Sequence, residues 1–253
     1  MWLAKIKAFS LHFVVTALVA VLAAWLVFAL WYPAPFAEMM GGMKLFVLVV
    51  ACDLALGPLM SLVIYNPKKK RKELLTDYAV VVAVQLAALA YGLNTVAQAR
   101  PAFLVFAVDR YTVVSAGELP ASEREKAVRP EWQKSSLLAG YQTVYALRPT
   151  DPDASFDLIM SALGGGRDVQ HIVENYRPVA EHLGDVLHAA QPVAVLRERH
   201  AAQAAAIDAA VAKSGKAEQA LRWLPVQAGT VFWTALIDMQ TGMPVAWVNV
   251  DPF

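Results

Sequence analysis

Cysteine is almost absent from this chain. Cys52 stands alone, so no intrachain disulfide can form, whichever compartment the chain enters. Charge is also scarce, at 17% of 253 residues against 58% hydrophobic, and a formal net charge of +1 is not the strongly basic balance of a nucleic-acid binder. His12, His171, His182, His188 and His200 form no HExxH or closely spaced ligand pair, so zinc is not expected. Neither GxSxG, SxxK nor a metal-binding carboxylate string frames Ser135, Ser136, Ser161 or the acidic residues. With no catalytic constellation visible, the sequence reads as a non-enzyme without a cofactor.

What is present is apolar length. A mean hydropathy of +0.44 is too high for one soluble domain and suits a membrane segment joined to a globular part. Residues 9 to 30 carry no Asp, Glu, Lys or Arg. At ~1.5 Å per residue they reach roughly 33 Å, enough to cross a hydrocarbon core of about 30 Å. The run is longer than a signal-peptide core and is expected to stay as an anchor. Residues 45–65 and 76–97 form second and third spans, with Trp31, Tyr32, Tyr65 and Tyr78 as interfacial aromatics.

Between spans two and three lies a basic loop, 66–75, whose Lys68, Lys69, Lys70, Arg71 and Lys72 are consecutive. Cations gather on the cytoplasmic side of bacterial membranes, so these five act first as a topology lock, with anionic-lipid contact second. Lys5 and Lys7 ahead of span one agree with a cytoplasmic N-terminus. Three crossings then place residues 98–253 on the far side. Residues 1–97 hold 8 Lys/Arg against 4 Asp/Glu, and the remainder 14 against 17, so a basic anchor precedes a mildly acidic domain.

Asp53 falls near the middle of span two, where an ionised carboxylate costs about 2.5 to 3.5 kcal/mol and needs a partner. Gln85 of span three lies at a similar depth, and an Asp53–Gln85 hydrogen bond is expected, either as a structural bond within the bundle or as part of a contact with another membrane helix or a proton-coupled step. Gly57 and Pro58 follow on the same helix. The bond that Pro58 cannot make to the Leu54 carbonyl predicts a kink there.

"WYPAPF" (31–36), "CDLALGPLMSLVIYNPKKKRKELLTDY" (52–78) and "QLAALAYGLNTVAQARPAFLVFAVDRY" (85–111) together resemble the type IV pilin accessory family, TfpX/TfpZ. The likeness is dense over residues 1–115 and returns weakly at "YRP" (176–178) and "ALIDMQTGMPVAW" (235–247). It implies a multi-pass protein of a bacterial inner membrane that helps a cognate type IV pilin reach the pilus. The residues 118–174 carry little of it, and partner specificity is expected there.

The rear part predicts a periplasmic α+β domain with a small antiparallel sheet. Residues 103–108 and 111–115 read as a hairpin around Asp109-Arg110, and 231–238 and 244–250 as another around "MQTGM", with 222–226 as a further strand. Residues 153–163 read as a helix stopped by Gly164, Gly165 and Gly166, a helix-ending turn rather than a phosphate loop. From Pro192 to Lys213 the spacing predicts one long helix, whose face of Val193, Leu196, His200, Ala204, Ile207 and Val211 either packs on the sheet or receives a partner. The combined reading is a pilin-binding accessory protein that assists stability, assembly or surface display, working with the pilus assembly machinery and leaving the oligomeric state open. The alternative is a pilin-modifying transferase, which would be expected to carry more spans and an acidic metal-binding loop. A sensor is disfavoured because the cytoplasmic segments leave no room for an output domain.

Overall fold

The computed structural model describes residues 2–66, 68–134 and 137–253. Ser135 and Ser136 lie outside them. The chain divides into two compact units, Met1–Arg100 and Pro101–Phe253.

The first unit is helical. Helix α1 (Trp2–Leu26) continues as a π-helical turn, Val27–Trp31, and a short α2 (Phe36–Met39) leads into α3 (Gly42–Ile64) and α4 (Arg71–Ala99). The three long helices have the length and composition needed to cross a membrane. Each outruns its apolar stretch because helix continues into the polar flanks. As a result, Arg71 and Lys72 belong to the first turn of α4 and not to the connecting loop. Few side chains of these helices are buried, and the long apolar ones on α1, such as Leu11, Leu18 and Leu22, point outward, as expected where lipid is the solvent.

Helix α3 is the central element and packs against both α1 and α4. Two glycines set its approach to α4. A Cβ on Gly57 would lie 2.0 Å from Gln85 Nε2, and one on Gly92 would lie 2.6 Å from Val49 Cγ1. Small residues at such crossings let membrane helices close up where no hydrophobic effect drives them together. Helix α3 runs without a break through Pro58, which is buried beside Gly57. Tyr32 packs over Gly42 and donates its hydroxyl to the Val96 carbonyl at 3.0 Å, so the connection after α1 is pinned to both other long helices.

The second unit is α/β. In chain order it contains β1 (Pro101–Ala107), β2 (Arg110–Ser115), α5 (Ala121–Arg124), α6 (Pro130–Gln133), β3 (Gln142–Ala146), α7 (Pro152–Leu163), β4 (Tyr176–Arg177), α8 (Leu183–Ala189), β5 (Gln191–Pro192), α9 (Val193–Arg199), α10 (Ala204–Ser214), β6 (Leu221–Ala228), β7 (Val231–Asp238) and β8 (Pro244–Val248). The strands form one sheet in the order β4-β3-β1-β2-β6-β7-β8, with β5 also on β6. Both expected hairpins are in this sheet, but it is mixed: β1 pairs with β3, and β2 with β6, in parallel. Because β7 takes one whole edge of β6, β2 and β5 share the other. Pro225 falls in the gap between their registers, where its missing N–H is best tolerated.

One core gathers Phe103, Val105, Val114, Trp132, Val144 and Tyr176. The alternate residues of β1, Leu104 and Phe106, are also buried, so "FLVF" is a continuous apolar run because both of its faces are covered. A second core joins Val193, Leu196 and Ile207 to Leu221, Trp223, Leu236 and Val248.

The single helix expected over 192–213 is two. It breaks at His200 (φ −120°, ψ 53°), a 3-10 turn follows at Ala201–Gln203, and α10 then begins. The break lets α9 lie on β6 while α10 lies on β7 and β8. A straight helix could not follow the twisted sheet in this way.

Helix α7 forms as expected. Asp151 caps it by accepting from the Ala154 N–H at 2.9 Å, and the backbone N–H of Gly164, Gly165 and Gly166 closes back on Met160, Ala162 and Ser161. Its apolar residues Phe156, Ile159, Met160 and Leu163 are exposed.

Candidate functional site

Helices α1 and α4 both pack on α3 but scarcely on each other, which leaves a groove between them floored by α3. Its volume is about 580 Å³. Leu11, Val15 and Val19 line one wall and Val82, Leu86 and Leu89 the other, while Lys7, Tyr65 and Tyr78 stand among the residues toward one end.

Polar side chains from all three helices meet there. His12 Nδ1 lies 2.5 Å from Ser61 Oγ, and His12 Nε2 lies 2.8 Å from Gln85 Oε1. A carboxamide oxygen can only accept, so His12 Nε2 donates to Gln85, while Nδ1 shares a hydrogen bond with the Ser61 hydroxyl, which can both donate and accept. The imidazole thus ties α1 to α3 and α4. Ser61 is buried, where an unpaired hydroxyl would be costly. Lys5 adds a second tie, donating to the Leu62 carbonyl at 2.9 Å and satisfying one of the free acceptors in the last turn of α3.

The expected Asp53–Gln85 bond is replaced by this arrangement. Gln85 reaches Gly57, one turn along α3 from Asp53, and the ring of His12 occupies its oxygen. Equal depth does not ensure equal azimuth: Asp53 and Gln85 line the same groove without bonding. Asp53 makes no hydrogen bond or ion pair with any described residue. The Tyr78 hydroxyl, also at the groove, is buried and has no hydrogen-bond partner among the described residues. His12 is not among the contacts expected from the sequence, although it carries a signal: it is the one ionisable side chain in the 22 residues of the first apolar run.

The other expected sites separate clearly. Lys68, Lys69 and Lys70 occupy the turn before α4; Lys69 pairs with Asp77 at 2.5 Å, and the cations around it are exposed. The proposed partner face on α9 and α10 is not free, since Val193, Leu196 and Ile207 are buried in their own core, with His200 and Val211 half-buried beside them. Among the described residues no group of three or more His, Cys, Asp and Glu is arranged to hold a metal ion.

In the second unit, charge is used locally. The Asp238 carboxylate, nearly inaccessible, accepts from Lys216 Nζ at 2.6 Å and from the Gln240 N–H at 3.1 Å, and the Lys216 contact foremost holds its carboxyl below the usual range. Burial pushes Glu118 up, but contacts from His171 and Ser115 outweigh it and leave the group lowered. Tyr111, with its hydroxyl donated to the Gly242 carbonyl at 2.7 Å, is pushed up by burial. Each is accounted for by its hydrogen bonds within the fold.

A family model described as fimbrial assembly protein FimB matches residues 1–41. Three proteins of Dichelobacter nodosus are similar. The chain is 38% identical over 128 residues to "Fimbrial assembly protein, serogroup I", covering 51% of this chain and 49% of that one. It is 35% identical over 128 residues to the serogroup E1 protein, with the same shares. With "Fimbrial assembly protein, serogroups C1 and C2" it is 36% identical over 121 residues, 48% of this chain and 92% of that one. The match thus spans about half the length of the first two relatives and nearly all of the third. No solved structure matches. At this identity and coverage, the chain belongs to the family of fimbrial assembly proteins.

Proposed function

We propose that this protein assists fimbrial assembly from within a bacterial inner membrane by binding a fimbrial subunit, with a cognate type IV pilin as client. The observation that carries the reading is an open groove among three membrane-length helices, holding an unpartnered carboxylate, in a chain whose relatives are called fimbrial assembly proteins. Support for the finer pilin accessory (TfpX/TfpZ) reading comes from the resemblance over residues 1–115. In this reading the N-terminus and the Lys68 to Lys72 segment are cytoplasmic and the α/β unit periplasmic, as the distribution of cations favours. The work is binding rather than bond chemistry, in keeping with the relatives' names.

Deleting the gene and comparing surface fimbriae with total cellular subunit tests this. Lost surface fimbriae with subunit retained is the expected result and marks an assembly role; lost total subunit marks protection from proteolysis. Unchanged levels of both would remove the proposal.

A further inference from the structure

We infer that the groove between α1 and α4 seats a transmembrane helix of a partner protein that carries a cationic donor at the depth of Asp53. This deepens the reading of the protein as a binder within the membrane, and rests on it.

The argument begins with Asp53. Its carboxylate lines the groove, and no described side chain bonds to it, because His12 holds Gln85. In hydrocarbon an unpartnered carboxylate is unfavourable. A lipid acyl chain filling the groove would exclude water and leave that cost in place. A helix bearing an ammonium or guanidinium group would remove it, since charge-assisted hydrogen bonds are among the strongest available to a carboxylate.

The groove has the right form for such an occupant. Its walls, Leu11, Val15 and Val19 of α1 and Val82, Leu86 and Leu89 of α4, run at helical spacing on two helices resting on a third, and a ridge of side chains from a fourth helix fits between two such rows. The His12–Ser61 bond ties α1 to the floor and the His12–Gln85 bond ties the two walls to each other, so the seat is built before a partner arrives. The Tyr78 hydroxyl, buried in the same lining and without a hydrogen-bond partner among the described residues, offers a second polar contact.

The test uses full-length protein in phosphatidylcholine vesicles and three synthetic Leu/Ala transmembrane peptides, identical except for Lys, Leu or Glu at mid-span. Binding is read by energy transfer from a peptide dye to a dye on the protein's C-terminus. The Lys peptide is expected to bind at least tenfold more tightly than the Leu peptide and the Glu peptide no better than it. Asp53→Asn should abolish the Lys preference, and Asp53→Glu should keep it. Equal binding of the Lys and Leu peptides overturns the inference, as does a preference that survives Asp53→Asn. If Asp53→Asn fails to fold, the peptide series on the unaltered protein still decides. A photocrosslinker at Leu86, with Leu18 as the off-groove control, reports the occupant. Transfer to the Lys peptide from Leu86 alone supports the seat; transfer only to phosphatidylcholine, or only to a second copy of the chain, overturns it. None of these peptides is a fimbrial subunit, so failure here leaves the gene-deletion result standing and removes only the cationic occupant.

Discussion

Val108 turns the chain between β1 and β2 with φ of 64°, and the Asp109 N–H bonds back to the Ala107 carbonyl at 2.8 Å, a tight three-residue turn. A β-branched residue resists this left-handed backbone by about 1 to 2 kcal/mol, whereas glycine pays only the entropy of a freer unfolded chain, about 0.5 to 1 kcal/mol. Val108→Gly is therefore expected to raise the thermal unfolding midpoint of the detergent-solubilised protein by a few degrees, and a lower midpoint would refute the strain argument. Asp238 gives a pH-dependent counterpart. Its carboxyl is lowered in the folded state, so its stabilising contribution is present above the unfolded value of about 3.9 and is lost as pH falls through the folded value. Lys216→Met should remove the principal cause and flatten the loss of stability below about pH 4, followed by tryptophan fluorescence. An unchanged acid slope would show that the pair does not set it.

Among the elements, α3 and α4 depend on Gly57. A Cβ there meets the amide of Gln85, the far end of a movable side chain, so Gly57→Ala should displace Gln85 and break its bond to His12. The expected cost is about 1 kcal/mol, the scale of a hydrogen bond between membrane helices. In a Gln85→Ala background the same substitution should cost clearly less, because nothing remains to be displaced. Additive costs in that double-mutant cycle would argue against the contact. The broken helix over 193–214 is an element-scale lesson of another kind. Three- and four-residue spacing reports which side chains share a face, and Val193, Leu196 and Ile207 do share one core. Spacing carries no sign that the axis bends at His200, since the bend follows from where β6, β7 and β8 lie.

For the whole molecule, the proposed topology puts the turn before α4 in the cytoplasm and the α/β unit in the periplasm. Cys52 is the only cysteine, so Cys52→Ala supplies a background for single reporters. In spheroplasts, an impermeant maleimide added outside should label a cysteine at Glu198, which is exposed, and should reach one at Lys69 only after lysis. Labelling of Lys69 in intact spheroplasts would reverse the proposed orientation.

Sequence alone determined the three apolar helices, because membrane-crossing length is a property of contiguous residues and needs no knowledge of neighbours. It also determined both hairpins, whose partners are close in the chain, and the glycine-closed end of α7. Tertiary structure decided the parallel pairing of β2 with β6, where Tyr111 meets Val226, and the contact of His12 with Ser61 and Gln85, 49 and 73 residues away. Hydrophobic length fixes how deep a residue lies but not the direction in which it faces around the helix axis. That direction follows from close approaches such as Gly57 under Gln85, and it is why Asp53 faces the groove without a partner among the described residues while Gln85 has one.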